Sequence, residues 1–200
     1  MASIDLEICP AIAPFFGYMG IAAAVIFANM GAAYGTAKAG VGIMMSGISS
    51  PELVWRNLIP IIMAGVNGIY GLITAVILTS AIIQPNADGS NKYSLYTAFA
   101  HLASGLCCGL TGFGSGIAIG VAGESSVRSC GAYDHESKKA QHHGNVGMNF
   151  GSNDRKKNKK GGQGDQLFVA MVLIQVFAGN LGLYGLITSI ILSQSTYVCE

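Results

Sequence analysis

The sequence predicts an all-α membrane protein, four transmembrane helices laid out as a duplicated helical hairpin. Three features of the chain lead there. Hydrophobic residues make up 51% of it and charged residues only 10%, which leaves too little polar surface to clothe a soluble core. Four stretches, 12–35, 58–83, 95–121 and 167–192, contain no Asp, Glu, Lys or Arg. The segment that begins at Val66 also returns, much of it unchanged, from Asn180.

Each stretch is long enough to span a bilayer, since roughly 20 apolar residues at about 1.5 Å rise cross a hydrocarbon core of about 30 Å. The first is preceded by "MASIDLEICP", with Asp5 and Glu7 in place of a basic leader, and it is longer than the apolar region of a signal peptide. It is therefore expected to stay as a resident helix. Lys38 and Arg56 lie between the first and second stretches and eight basic residues lie from Arg128 to Lys160, against Lys92 alone between the second and third. The positive-inside bias then places both odd-numbered loops in the cytoplasm and both termini on the opposite side.

Aligned with no gap, Val66–Ser80 and Asn180–Gln194 share eight of fifteen residues, including Gly68, Tyr70, Gly71 and Thr74 against Gly182, Tyr184, Gly185 and Thr188. The first and third stretches agree more loosely, through Gly31 and Gly35 against Gly112 and Gly116. Both also carry small residues at four-residue steps: Gly20, Ala24, Ala28 and Ala32 in one, Gly105 and Gly109 and then Gly112, Gly116 and Gly120 in the other. Lipid tails are as apolar as leucine, so close backbone approach along such ridges is what holds membrane helices together. The first and third helices are expected on an inner circle, with the bulkier second and fourth outside against lipid. An ordinary four-helix bundle with glycines at its contacts is the alternative that the pattern leaves open.

The stretches "APFFGYMGIAAAVIFANMGAAYGTAKAGVGI", "IIMAGVNGIYGLITAVIL", "SGIAIGVAGESSVR" and "LFVAMVLIQVFAGNLGLYGLITSIILS" resemble the c-type proteolipids of eukaryotic V-type proton ATPases. The likeness covers nearly all of the chain outside residues 131–163. It implies a double hairpin that assembles with other proteolipids into a homo- or hetero-oligomeric rotor ring. Its partners would be the a-type protein of the stator, the central-stalk subunits, membrane lipid and the transported proton, with no nucleic acid and no cofactor. The implied setting is a vacuolar or other acidic endomembrane with luminal termini, and the chain would be no enzyme on its own.

The resemblance also implies a proton-carrying glutamate at mid-membrane in the fourth helix, at the position of Gly179 in "FAGNLGLYGLI". Here that position is glycine, and its counterpart in the second helix, Gly65, is glycine too. Lys38 and Glu124 are expected at helix ends, leaving no acid deep in any stretch. Asn67, Gln175 and Asn180 can hydrogen-bond but do not ionise near neutral pH, and Tyr70 matches a tyrosine that hydrogen-bonds the glutamate in some relatives. These four are expected to line the site, with Asn67 and Gln175 bonding between helices, while Gly31, Gly35, Gly112, Gly116 and Gly120 serve helix packing.

Gly35 and Gly65 lie 30 positions apart and Gly116 and Gly179 lie 63 apart, so the second hairpin's connection is longer by 33 residues. The predicted layout is a first hairpin over 1–83, a second over 84–130 and 164–200, and a polar insert over 131–163. The insert is poor in large apolar residues and is expected to form a disordered cytoplasmic loop. Its run "RKKNKK" either touches anionic headgroups or is merely solvated. His135, His142 and His143 lack the cysteine pairs or fixed spacing of a metal site, so no metal is expected. Cys107 and Cys108 are expected to be packing residues, and Cys9 and Cys199 share one side of the membrane, where a disulfide is open to them. "GFGSGIAIG" lies within a helix, not at the strand-to-helix turn that a dinucleotide loop needs.

Overall fold

The computed structural model describes residues 10, 12–49, 51, 54–83, 92–144 and 153–197, with side chains for 10, 12–48, 51, 54–83, 92–136 and 165–197. Its regular elements are α1 (Ala13–Ser49), a 3-10 turn (Arg56–Leu58), α2 (Ile59–Ala81), α3 (Leu95–Gly144) and α4 (Asn153–Ser193). All four helices contain spans long and apolar enough to cross a membrane: Ala13–Ile48, Arg56–Ala81, Leu95–Glu136 and Asp165–Ser193. Within lipid the helix satisfies every backbone N–H and C=O internally, which is why these runs take that form. The ends carry ordinary stop and start chemistry. Pro60 opens α2, where a missing N–H costs nothing. Ser94 caps α3 by accepting the Thr97 N–H at 3.2 Å.

The closest seam joins α1 to α3. A β-carbon at Gly31 would stand 2.6 Å from the Cα of Phe113 and 2.7 Å from the Gly112 carbonyl oxygen, and one at Gly35 would stand 2.7 Å from the Gly116 carbonyl oxygen. At Gly120 it would lie 2.9 Å from the Gly35 Cα, and at Gly105 and Gly116 it would overlap the backbones of Gly20 and Gly31. Gly112 differs, because its β-carbon position is in ordinary contact with Ala28 at 3.4 Å and its part in the seam is played by its carbonyl. α2 then packs on α1 by the same device, Gly71 against Ala24 and Ala28. α4 packs on α3 and on α2.

Two expectations are corrected. The two ends of the insert, 131–144 and 153–163, are helical where a structureless loop was expected: α3 runs on to Gly144 and α4 begins at Asn153. Nucleation is the expensive step of helix formation, and "ESKKAQHH" extends a helix that the membrane span has already nucleated. At about 1.5 Å per residue α3 rises roughly 75 Å, more than twice the thickness of a hydrocarbon core. Nor do Lys38 and Glu124 end their helices. Both lie inside α1 and α3, 3.9 Å apart, and Arg128 Nη2 donates to Glu124 Oε1 at 2.6 Å. The Cys9–Cys199 pairing, the side chains of His142 and His143 and those of "RKKNKK" lie outside what is described.

At the opposite end Tyr93 is 2% exposed, with its hydroxyl 2.7 Å from His101 Nδ1. Burial, and to a lesser degree the Tyr18 phenol, pushes its pKa up from 10.0 to about 12. An unfolded tyrosine ionises near 10, so this contribution to stability is complete below about pH 10 and is lost as the pH rises through the folded value. Comparing ultraviolet alkaline titrations of the chain and of Tyr93→Phe checks it; the difference curve should lack any component near pH 10. The seam yields a second expectation. In detergent, Gly116→Ala should lower stability by about 1–3 kcal/mol, as overpacking does. Gly114→Ala, on the same helix with nothing within 4 Å of its β-carbon position, should gain the helix propensity of alanine without the clash. Unfolding in rising dodecyl sulfate, followed by circular dichroism, measures both.

Candidate functional site

Gly179 is the midpoint of the span Asp165–Ser193. α4 turns Met171, Gln175, Gly182, Gly185, Ser189 and Ser193 into the bundle, all buried, and the half-buried Gly179 sits on the edge of that face. Where a β-carbon at Gly179 would project, the nearest atom is the Cε of Met63 on α2, at 3.3 Å. Hence a β-carbon there presses only on the flexible tip of a methionine.

One turn to either side stand the buried amides. Asn67 Nδ2 donates to Ser115 Oγ at 2.9 Å, and Ser115 Oγ donates to the Ala178 carbonyl at 2.7 Å, so α2, α3 and α4 are joined by two bonds in series beside position 179. Gly182 makes room for this: a β-carbon there would stand 2.6 Å from Asn67 Oδ1. Gln175 is fully buried, and its Nε2 donates to the Ile119 carbonyl at 3.4 Å, against Gly123 and Pro60. Among the described residues Asn67 Oδ1 and Gln175 Oε1 have no partner. Both amides thus make interhelical bonds. Asn180 is half-buried and stands outside this series, and no hydrogen bond joins the Tyr70 phenol to it; the Tyr70 carbonyl instead accepts from Thr74 Oγ1 at 3.0 Å.

Ser115 was not among the expected site residues, although its pattern is visible in the chain. Ser94, Thr97, His101, Ser104, Cys108, Thr111 and Ser115 recur every three or four residues, which sets a polar stripe along one face of α3 beside the glycine face. The stripe meets its partners level by level. Ser104 Oγ donates to the Ser189 carbonyl at 2.7 Å, Thr74 Oγ1 lies 3.1 Å from Cys108 Sγ, and Gly185 leaves space for Thr111. The described charged side chains of the four spans lie toward one end, with Arg56 Nη2 donating to Asp165 Oδ1 at 2.9 Å and stacking over Phe168 at 4.5 Å. The middle of the bundle therefore holds hydrogen-bonding groups, and none of the described residues there is a carboxylate or an ammonium.

The family model for the ATP synthase C subunit matches residues 19–78. A V-type proton ATPase 16 kDa proteolipid subunit of Chrysotila carterae is 46% identical over 194 residues, covering 97% of this chain and 99% of its own length. The chain belongs to the V-type proton ATPase proteolipid family. Other proteolipids agree along the whole chain: a V-type proton ATPase 16 kDa proteolipid of Caenorhabditis elegans is 43% identical over 195 residues, covering 96% of this chain and 99% of its own length. A V-type proton ATPase proteolipid of Dictyostelium discoideum is 44% identical over 191 residues, covering 96% of this chain and 79% of its own length. In this proteolipid the four spanning helices and the glycine seam are the scaffold, and the Asn67–Ser115–Ala178 series fixes the depth of α4 against them.

A double-mutant cycle measures that series. Asn67→Leu, Ser115→Ala and their combination should give a coupling energy of about 0.6 kcal/mol and no more than about 2 kcal/mol, the range for hydrogen bonds between membrane helices. Additive single effects would show that the two side chains do not act together.

Proposed function

We propose that this proteolipid is a rotor-ring (c-ring) subunit of the membrane sector of a V-type proton ATPase, contributing to ATP-driven acidification of an endomembrane compartment. The supporting observation is a match over 97% of the chain to a V-type proton ATPase proteolipid, borne on four spanning helices of which the first and third meet along a glycine seam. In the ring the chain stands beside other proteolipids, passes the a-type protein of the stator and is turned through the central stalk. Its termini face the lumen of a vacuole or other acidic organelle, and the connections after α1 and α3 face the cytoplasm, the side where basic residues accumulate.

Gly179 favours a narrower role within that ring. A carboxyl at this depth is neutral against lipid and ionises beside a stator arginine, and that alternation is what moves a proton. Glycine offers neither state, so this chain is a carrier-deficient copy that fills a place in the ring while carboxylates on other proteolipids carry protons.

Expressed as the sole proteolipid, the chain should assemble and leave vesicles unacidified. Gly179→Glu should restore part of the proton uptake, because its β-carbon meets only the Met63 tip and protonation relieves the cost of about 3 kcal/mol for a mid-membrane charge. Proton uptake by the glycine form at the rate of a glutamate-bearing ring would place the carrier elsewhere and sink this assignment.

A further inference from the structure

Two cations share one carboxylate at the charged end of the bundle. Arg128 Nη2 donates to Glu124 Oε1 at 2.6 Å, while Lys38 Nζ stands 3.9 Å from Glu124 Oε2, too far for a hydrogen bond. The group therefore carries a surplus of one positive charge. Its cations are also open: the side chains of Lys38 and Arg128 are 45% and 50% exposed, against 22% for Glu124. Arg56, the other described lysine or arginine of that end, is matched by Asp165. The next acids on α3, Asp134 and Glu136, lie about 9 Å or more beyond Arg128 along the helix.

The depth of the surplus decides what can meet it. Gly179 is the midpoint of its span, and Ser115 bonds to the neighbouring Ala178 carbonyl, so Ser115 marks the same height on α3. Glu124 and Arg128 follow later on that helix, about 13 and 20 Å higher, on either side of a hydrocarbon boundary at about 15 Å. Lys38 starts lower, since a β-carbon at Gly120 would stand 3.3 Å from Lys38 Cβ. Its flexible stem lifts the ammonium toward Glu124, as snorkelling lysines do. A cation at this height without a full partner in its own chain is unfavourable unless an anion comes to it. Deeper on the same flank of the seam, at helical spacing from Lys38 and Arg128, the exposed side chains are Tyr34 on α1 and Leu110 and Val121 on α3.

We propose that Lys38 and Arg128 hold the phosphate of an anionic phospholipid, with its acyl chains along Tyr34, Leu110 and Val121. Such a lipid meets both halves of this surface. The guanidinium and the ammonium take phosphate oxygens, and the chains cover the side chains below; a soluble anion reaches only the first half. Glu124 competes with the phosphate for both cations, so the net charge of the headgroup decides the binding. A zwitterionic lipid brings a cation of its own and gains less from a surplus of one. The site lies within one chain, in the cytoplasmic leaflet of the orientation proposed above, and depends neither on the ring nor on the role of Gly179.

The test is native mass spectrometry of the detergent-purified full chain, titrated with dioleoylphosphatidylglycerol, dioleoylphosphatidylcholine or inorganic phosphate, with helicity checked by circular dichroism. Phosphatidylglycerol should be retained about tenfold more strongly than phosphatidylcholine, and inorganic phosphate not at all. Lys38→Gln and Arg128→Gln should each lower phosphatidylglycerol retention about fivefold, the value of one basic residue near a headgroup. Glu124→Gln, which removes the competitor, should raise it by a similar factor, and Arg56→Gln should leave it unchanged. Should the lysine or arginine variant lose its helicity, the gain in Glu124→Gln decides. Equal retention of the two lipids, unchanged or weaker binding in Glu124→Gln, or a loss in Arg56→Gln as large as that in Lys38→Gln overturns the site. Inorganic phosphate held as strongly as phosphatidylglycerol overturns the lipid as its occupant.

Discussion

The approach of two bare backbones, α1 against α3, is the constraint on which the rest of the structure hangs. Lipid provides no hydrophobic drive to bring helices together, so the association rests on van der Waals contact, which grows steeply as the axes near. Glycines on both sides of the seam permit an approach that any side chain at Gly105 or Gly116 would block. Once α3 is pinned by its glycine face, its rotation is settled. Its neighbouring face, with Ser104, Cys108, Thr111 and Ser115, then has to point at α2 and α4. Depth is settled by the same seam, because Gly20, Gly31 and Gly35 each engage a particular turn of α3. The hydroxyl of Ser115 reaches Ala178 only because that height has been fixed elsewhere.

The two ends of the bundle are held by different chemistry. At the charged end, Lys38, Glu124 and Arg128 form one group and Arg56 and Asp165 another, with side chains that remain partly or largely exposed. Exposed pairs of this kind contribute at most about 1 kcal/mol each, so they mark where the helices meet water more than they hold them together. At the other end the ties are neutral. Ser94 and Thr97 donate to the Tyr197 carbonyl at 2.7 and 3.0 Å, which clips the chain beyond α4 to the start of α3, and Tyr93 meets His101 beneath them. Between the two ends the bundle is joined by hydroxyls, thiols and amides.

Much of this was legible in the chain. Four uncharged runs became four spanning helices, and the four-residue glycine steps became the seam, because both signals are local and repeat many times. The site was legible only in part. Gly179, Asn67 and Gln175 could be named from their runs, but Ser115 could not, since its importance depends on how α3 is rotated, a property of the packed bundle. Asn180 and Tyr70 were drawn in by their places in the repeat, and both are half-buried without joining the Asn67–Ser115–Ala178 bonds. The two described ends of the insert differ from expectation for a related reason. Composition reports whether a segment can fold alone, and residues 131–144 continue a helix that is already formed.

The bond from Ser115 to the Ala178 carbonyl has a mechanical consequence. That carbonyl is also the acceptor that the helix ladder assigns to the Gly182 N–H, so at this turn the ladder shares its oxygen with a side chain from α3. Gly179, Gly182 and Gly185 follow within two turns, and none of them brings a side chain to stiffen the backbone. Sharp bends in helices collect where glycine is dense and where a side chain intrudes on the ladder, and α4 has both at the centre of the membrane. The fourth helix, unbroken from Asn153 to Ser193, therefore has its least reinforced turn at the middle of its spanning segment.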